Sequence, residues 1–177
     1  MKIGSHNTMT YLKPKKWYMY PFIPFAKCQS KDVEEQYDAG ARWFDIRIAF
    51  DKKGDPEFKH GIMSYEGDVL KVFEYLNTKD DVIVRVLSED GHPFFSGYCL
   101  YLQNRFPNMR FSGGQNKKDW KQLHTFKNEE YYSAEDYFAS SPNNPKWWGL
   151  FPWIYSFFKN RKIEERNVDY LIIDYVK

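Results

Sequence analysis

The chain has 177 residues, and its 26 basic and 24 acidic side chains leave a formal net charge of +2, which fits one domain and excludes a strongly basic nucleic-acid binder or an acidic disordered tail. Aromatic residues are over-represented: 15 Phe, 14 Tyr and 6 Trp make 20% of the chain, within a hydrophobic total of 42%. Such a chain can bury a sizeable core with aromatic side chains left over.

In chain order, a short N-terminal strand precedes Gly4-Ser5-His6-Asn7-Thr8. Lys31 to Ala39 reads as a short helix, with Val33 and Tyr37 on one face, and Ala39-Gly40 as its stop. Arg42 to Phe50 is aromatic and branched, as a strand requires. Asp51 to Pro56 is a turn cluster, Phe58 to Met63 a short strand, and Gly67 to Asn77 a helix with Val69, Phe73 and Leu76 in register. Val82 to Leu87 is a near-continuous apolar run, the mark of a parallel strand covered on both faces. Pro93 to Phe106 returns to helical spacing, and Tyr170 to Val176 closes as another buried-type strand. The stretch from Asn108 to Asn144 has no clean period. Strands alternating with helices predict a parallel α/β fold, open or barrel-like, over residues 1–177.

No stretch approaches the roughly 20 apolar residues of a membrane-spanning helix. The N-terminus lacks the apolar core of a signal peptide, which points to a cytoplasmic protein, or a secreted one whose leader has been removed. Cys28 and Cys99 form neither a disulfide framework nor a zinc pattern, and read as buried small hydrophobes.

Four polar features interrupt the apolar pattern: His6-Asn7 after the first strand, Asp45-Ile46-Arg47 inside the second, His60-Gly61 at a strand end, and Asp174 within the last strand. Each has a plain structural reading. A lone His at a strand end is usually an ordinary hydrogen-bonded residue. Asp45 and Arg47, two apart on a strand, share a face and fit a buried ion pair. Asp174 can cap a neighbouring helix. Together they suggest more, because the carboxyl ends of barrel strands converge on one mouth. Two imidazoles, an arginine and two carboxylates gathered there suit phosphoryl chemistry.

The ordered set Gly4-Ser5-His6-Asn7-Thr8-Met9, Gln36 to Arg47, His60-Gly61 and Leu171 to Val176 resembles the X-domain of phosphatidylinositol-specific phospholipases C. The resemblance covers residues 3 to 90 and 168 to 176. It implies a compact, distorted (β/α) barrel that cleaves phosphatidylinositol-type lipids through a cyclic inositol phosphate. His6 would be the general base taking the inositol 2-hydroxyl proton, oriented by Asp174. His60 would be the general acid, Arg47 would neutralise phosphate charge, and Asp45 would hold Arg47 or the 2-hydroxyl. Bacterial relatives carry His-Asp where this chain has His6-Asn7. Eukaryotic ones carry His-Asn, whose Asn ligates calcium, but here Arg47 puts a cation beside that place. The expectation is therefore no metal, with Asn7 bonded to phosphate or leaving group. A calcium site at Asn7, Asp45 and Glu89 is the alternative. The phosphate- or sugar-binding lysine of bacterial relatives has no counterpart; Arg85 either replaces it as a substrate contact or forms an internal salt bridge.

Two aromatic clusters, Lys15 to Phe25 and Lys146 to Trp153, fall between the periodic elements. In a barrel both would lie on the mouth's rim, where Trp, Tyr and Lys suit a membrane surface. Trp17 and Trp147 or Trp148 are expected to be exposed membrane contacts, with most of the others packed. Partners are then a phosphatidylinositol-like phosphodiester and a membrane surface, with no nucleic acid, for a monomer. The rival readings are a metal-dependent glycerophosphodiesterase-like enzyme and a catalytically decayed lipid-binding module. A full (β/α)₈ barrel takes about 250 residues, so 177 predicts minimal loops and lost helices between Asn108 and Asn144.

Overall fold

In the computed structural model, which describes residues 2–114, 131–132, 151–160 and 170–177, the first strand lies between the second and the last. That strand, β1 (Lys2–Ser5), is parallel to β2 (Ala41–Phe50) on one side and to β8 (Tyr170–Ile173) on the other. β2 pairs in parallel with β5 (Ile83–Ser88), β5 with β6 (Arg110–Gly114), and β8 with β7 (Tyr131–Tyr132). The parallel order is thus β7–β8–β1–β2–β5–β6, and among the described residues β6 and β7 do not close it. The carboxyl half of β2 carries an antiparallel hairpin of β3 (Pro56–His60) and β4 (Met63–Tyr65). The result is an α/β fold with a curved, unclosed parallel sheet, a distorted barrel.

The sequence accounts for these elements locally. All six residues of β5 are buried, as a two-sided apolar run demands. The helix α2 (Val33–Asp38) starts on a capping box between Asp32 and Glu35. The Asp68 carboxylate caps α3 (Val69–Asn77), whose Phe73 and Leu76 join Phe44, Ile46 and Ile48 in the core. Cys99 and Leu102 of α4 (Phe95–Arg105) pack into the same core. Cys28 and Cys99 are free and buried, as expected.

Gly4 is fixed by space. A Cβ there would lie 2.8 Å from Ile172 Cγ1 and 2.9 Å from Trp43 Cβ. Only glycine lets β1 run so close between its neighbours, two residues before His6.

Three expectations change. The strand expected over Phe58 to Met63 is a hairpin, because Gly61 adopts φ 58° and reverses the chain. The last strand stops at Ile173 instead of running to Val176. Tyr175, at φ 52°, donates its N–H to the Cys28 carbonyl at 2.7 Å, so Asp174 sits in a bend just beyond β8. The aromatic segment after the first motif is not plain loop. Trp17–Phe22 forms 3₁₀ turns leading into α1 (Ile23–Ala26), which packs on α5 (Pro152–Lys159).

Candidate active site

The polar residues singled out in the sequence meet at the carboxyl ends of the strands. His6 and Asn7 follow β1, Arg47 lies in the carboxyl half of β2, His60 ends β3, Glu89 follows β5 and Asp174 follows β8. The parallel strands β1, β2, β5 and β8 bring their groups to one edge of the sheet, and the antiparallel β3 runs back along β2 to add His60.

Two buried glutamines hold this edge together. The Gln29 amide donates to the carbonyls of His6 at 2.9 Å and Ile173 at 3.0 Å, and its Oε1 accepts the Val176 N–H at 3.0 Å. Gln36 Nε2 donates to the carbonyls of Thr8 and Lys31, while its Oε1 accepts from Ser5 Oγ. The ends of β1 and β8 are thereby locked side by side.

His6 Nδ1 is 2.7 Å from Asp174 Oδ1, and its Nε2 is 3.0 Å from Arg47 Nη2. A guanidinium can only donate. Nε2 therefore accepts, and the ring proton sits on Nδ1, facing Asp174. Arg47 also reaches Asp45 Oδ2 through Nε at 3.1 Å and Glu89 Oε1 through Nη1 at 3.3 Å. Asp45 is further held by Arg85 Nη1 at 3.1 Å and by the Asn7 backbone N–H at 3.1 Å. Burial pushes the Asp45 carboxyl up, but Arg47 and Arg85 outweigh it and hold the group well below the usual carboxylate range. Asp45 is an anionic anchor between two arginines.

His60 Nδ1 donates to the Ala26 carbonyl at 2.9 Å, leaving Nε2 as an acceptor 3.3 Å from Asn7 Nδ2. Burial, reinforced by Arg47, lowers its pKa to about 4. The Asn7 carboxamide is central: Nδ2 also lies 3.3 Å from His6 Nε2 and 3.3 Å from Cys28 Sγ. Its backbone takes φ 46° and ψ 51°, a left-handed conformation that Asn tolerates better than most residues. Burial, then the nearby Asp174, pushes the Cys28 thiol well above its ordinary pKa, so it stays protonated and is no nucleophile.

Arg85 is 0% exposed, opposite Asp45 in the β2–β5 register. The structure brings together His6, Asn7, Asp45, Arg47, His60 and Asp174; Arg85 reaches them through Asp45. Asp45 and Glu89, two of the three candidate calcium ligands, both ion-pair with Arg47. A guanidinium therefore holds the position between these carboxylates. Among the described residues, the one His/Cys/Asp/Glu group spaced for a metal is His6, Cys28 and Asp174.

Trp17 is 83% exposed, as expected. Tyr18, Tyr20, Phe22 and Phe25 are exposed as well, against the expectation that most are packed, because the 3₁₀ turn and α1 bury only Met19 and Ala26. Trp147 and Trp148 lie outside the described residues. Trp153, which closes the second aromatic cluster and was expected to be packed, is exposed, as is Phe157 of α5, which the sequence did not single out. Phe25 packs against Phe151 with ring centroids 4.9 Å apart. No described helix is long and apolar enough to cross a membrane.

A parallel sheet with histidines, an arginine and carboxylates at its carboxyl edge has the architecture of a distorted (β/α) barrel with a polar mouth. No family model matches the chain. The mouse PI-PLC X domain-containing protein 1 is 28% identical across 82% of this chain and 52% of its own length, so the chain spans about half of that relative. The phosphatidylinositol-specific phospholipase C of Listeria monocytogenes superposes with a TM-score of 0.69 at 16% identity, over 99% of this chain and 88% of that one. A Staphylococcus aureus phosphatidylinositol-specific phospholipase C, from work on modulation of its membrane binding, gives 0.63 at 12% identity, over 98% and 85%. The chain is thus similar in sequence to a phosphatidylinositol-specific phospholipase C X-domain protein and shares the fold of the bacterial phosphatidylinositol-specific phospholipases C.

Proposed function

We propose that this protein is a phosphodiesterase that cleaves phosphatidylinositol-type lipids by intramolecular attack of the inositol 2-hydroxyl on phosphorus. The observation that carries the reading is the shared contact of two histidines: His6 Nε2 and His60 Nε2 each lie 3.3 Å from one atom, Asn7 Nδ2. A carboxylate backs His6 and a guanidinium stands beside it.

His6 Nε2 takes the 2-hydroxyl proton, and Asp174 holds the Nδ1–H and stabilises the imidazolium. The 2-oxygen bonds to phosphorus as the bond to the leaving oxygen breaks, and His60, which takes up a proton at Nε2 when the phosphodiester anion binds, gives that proton to the leaving oxygen. Attack within one molecule gains from proximity. Arg47 has two tasks. In the free protein it donates to Nε2 of His6 and so occupies the lone pair that the base needs. A phosphodiester anion competes for the guanidinium, which frees the base as substrate arrives and stabilises charge on the non-bridging oxygens. Asp45 keeps Arg47 in place, and Arg85 supports Asp45 from below. The position between Asp45 and Glu89 is held by Arg47, so the scheme uses no metal ion.

Trp17, Tyr18, Tyr20, Phe22 and Phe25, with Lys13, Lys15 and Lys16, form the surface that meets lipid, extended by Trp153 and Phe157. The phospholipases named above act on, or dock at, the surfaces such a reading requires.

The test is release of water-soluble inositol phosphate from phosphatidylinositol vesicles. His6→Ala and His60→Ala should each lower the rate roughly 100- to 10,000-fold. Unchanged turnover in both variants refutes the reading. EDTA should leave the wild-type rate intact; loss restored by calcium or magnesium would favour a metal-dependent phosphodiesterase. Vesicle binding without turnover would favour a lipid-binding module.

A further inference from the structure

A cleft of about 10 Å³ is lined by Asn7, Met9, Thr10, Arg47, Lys59 and Tyr65, and the Asn7 amide lies 3.3 Å from His60 Nε2. The cleft has about the room of one oxygen atom with its hydrogens. Two of these lining residues carry a buried polar atom with no hydrogen-bond partner among the described residues: Asn7 Oδ1 and Tyr65 Oη. Both residues are buried, Asn7 at 3% exposure and Tyr65 at 4%. An unsatisfied buried hydroxyl or amide oxygen is costly, and native sites keep such groups where a ligand will meet them. The β3–β4 hairpin explains the placement: Tyr65 pairs with Phe58, two residues from His60. Burial, then Cys28 and Glu89, raises the Tyr65 pKa, so the hydroxyl keeps its proton and acts as a donor.

The two orphans are complementary to one kind of atom. Tyr65 Oη offers a proton and Asn7 Oδ1 needs one, so a group that met both would accept one bond and give another. An oxygen leaving phosphorus does both in sequence. As an alkoxide it accepts from Tyr65 O–H; once protonated by His60 it is an alcohol that donates to Asn7 Oδ1. We propose that Tyr65 is a further catalytic residue, whose hydroxyl binds the departing oxygen beside His60 while Asn7 receives the product alcohol. The balance is that of the proposed reaction, on which this inference rests. The bond from phosphorus to the leaving oxygen breaks with its electron pair on oxygen, and the His60 proton moves to that oxygen.

Tyr65→Phe removes the hydroxyl and nothing else. On phosphatidylinositol, whose leaving alkoxide is basic, kcat/KM should fall roughly 10- to 100-fold. On an aryl inositol phosphate, whose phenoxide needs little help, the fall should be under about threefold, since a weaker base gains less from the donor. The ligand-free variant should melt at the wild-type temperature or roughly 2–4 °C higher, because an unsatisfied buried hydroxyl is gone. Equal losses on both substrates, no loss on either, or a lowered melting temperature each overturn the assignment. A wild-type protein inactive on both substrates instead refutes the phosphodiesterase reading, and the Tyr65 role falls with it.

Discussion

A histidine that stays neutral down to about pH 4 is a poor proton donor near neutrality until negative charge is set beside it. In the proposed reaction the phosphodiester supplies that charge, opposing the burial and the Arg47 field that depress His60. The same depression has a consequence for stability. An unfolded histidine takes up its proton near 6.5, whereas folded His60 does so only near 4. Between those values the unfolded chain holds the extra proton, so stability present above pH 6.5 is lost as the pH falls toward 4. Asp45 acts in a lower window, because its contribution is lost only below the unfolded carboxylate value. Urea unfolding of wild type and His60→Gln at steps from pH 7 to pH 4 checks this. The variant should show a shallower decline, and parallel declines would contradict the burial of a neutral imidazole.

Among the elements, the junction of β1 and β8 depends on one side chain that spans both. Gln29→Leu leaves the His6 carbonyl and the Val176 N–H without this partner and removes one of two donors to the Ile173 carbonyl, which keeps the His6 N–H. It should cost roughly 2–4 kcal/mol of stability, read as a lower urea midpoint. A loss below about 0.5 kcal/mol would mean that other groups hold the two strand ends. Much of this edge was legible in the sequence. His6, Asn7, Asp45, Arg47, His60 and Asp174 each break an apolar or strand pattern, and polar residues there stand out against the period. Gln29, Gln36 and Tyr65 do not. Their roles arise from bonds across the fold, such as Gln29 to Ile173, 144 positions away, which no local spacing encodes. The hairpin was missed for a related reason: Gly61 reverses the chain inside what reads as one short strand.

For the whole molecule, the aromatic excess that marks the composition resolves partly into core and partly into surface. Trp43, Phe44, Phe58, Phe73, Phe95 and Phe111 are buried, whereas Trp17 and Trp153, at 83% and 53% exposure, are not. Composition could not divide them, because the division follows from which side chains the folded strands and helices turn inward. If the exposed set meets lipid, Trp17→Ala and Trp153→Ala together should weaken binding to anionic phosphatidylinositol vesicles roughly 10-fold or more. Sedimentation measures the binding, and hydrolysis of a soluble inositol phosphodiester should stay at the wild-type rate. Equal vesicle affinity in variant and wild type would leave these residues without a membrane role. The sheet gathers the proposed groups: β1, β2, β5 and β8 carry theirs to one edge, and the antiparallel β3 returns His60 to it.

The pairing of β1 with β8 also sets the order in which the site can come into being. His6 and Asp174 are 168 positions apart, yet their side chains meet at 2.7 Å. On the ribosome, His6, Asn7, Arg47 and His60 are all made long before the carboxylate that orients the base. Contacts of such sequence separation are also the slowest to form, since the intervening chain must close first. A nascent or C-terminally trimmed chain thus carries both histidines but no partner behind His6. In the proposed reaction the base would therefore lack its orienting carboxylate until β8 has docked.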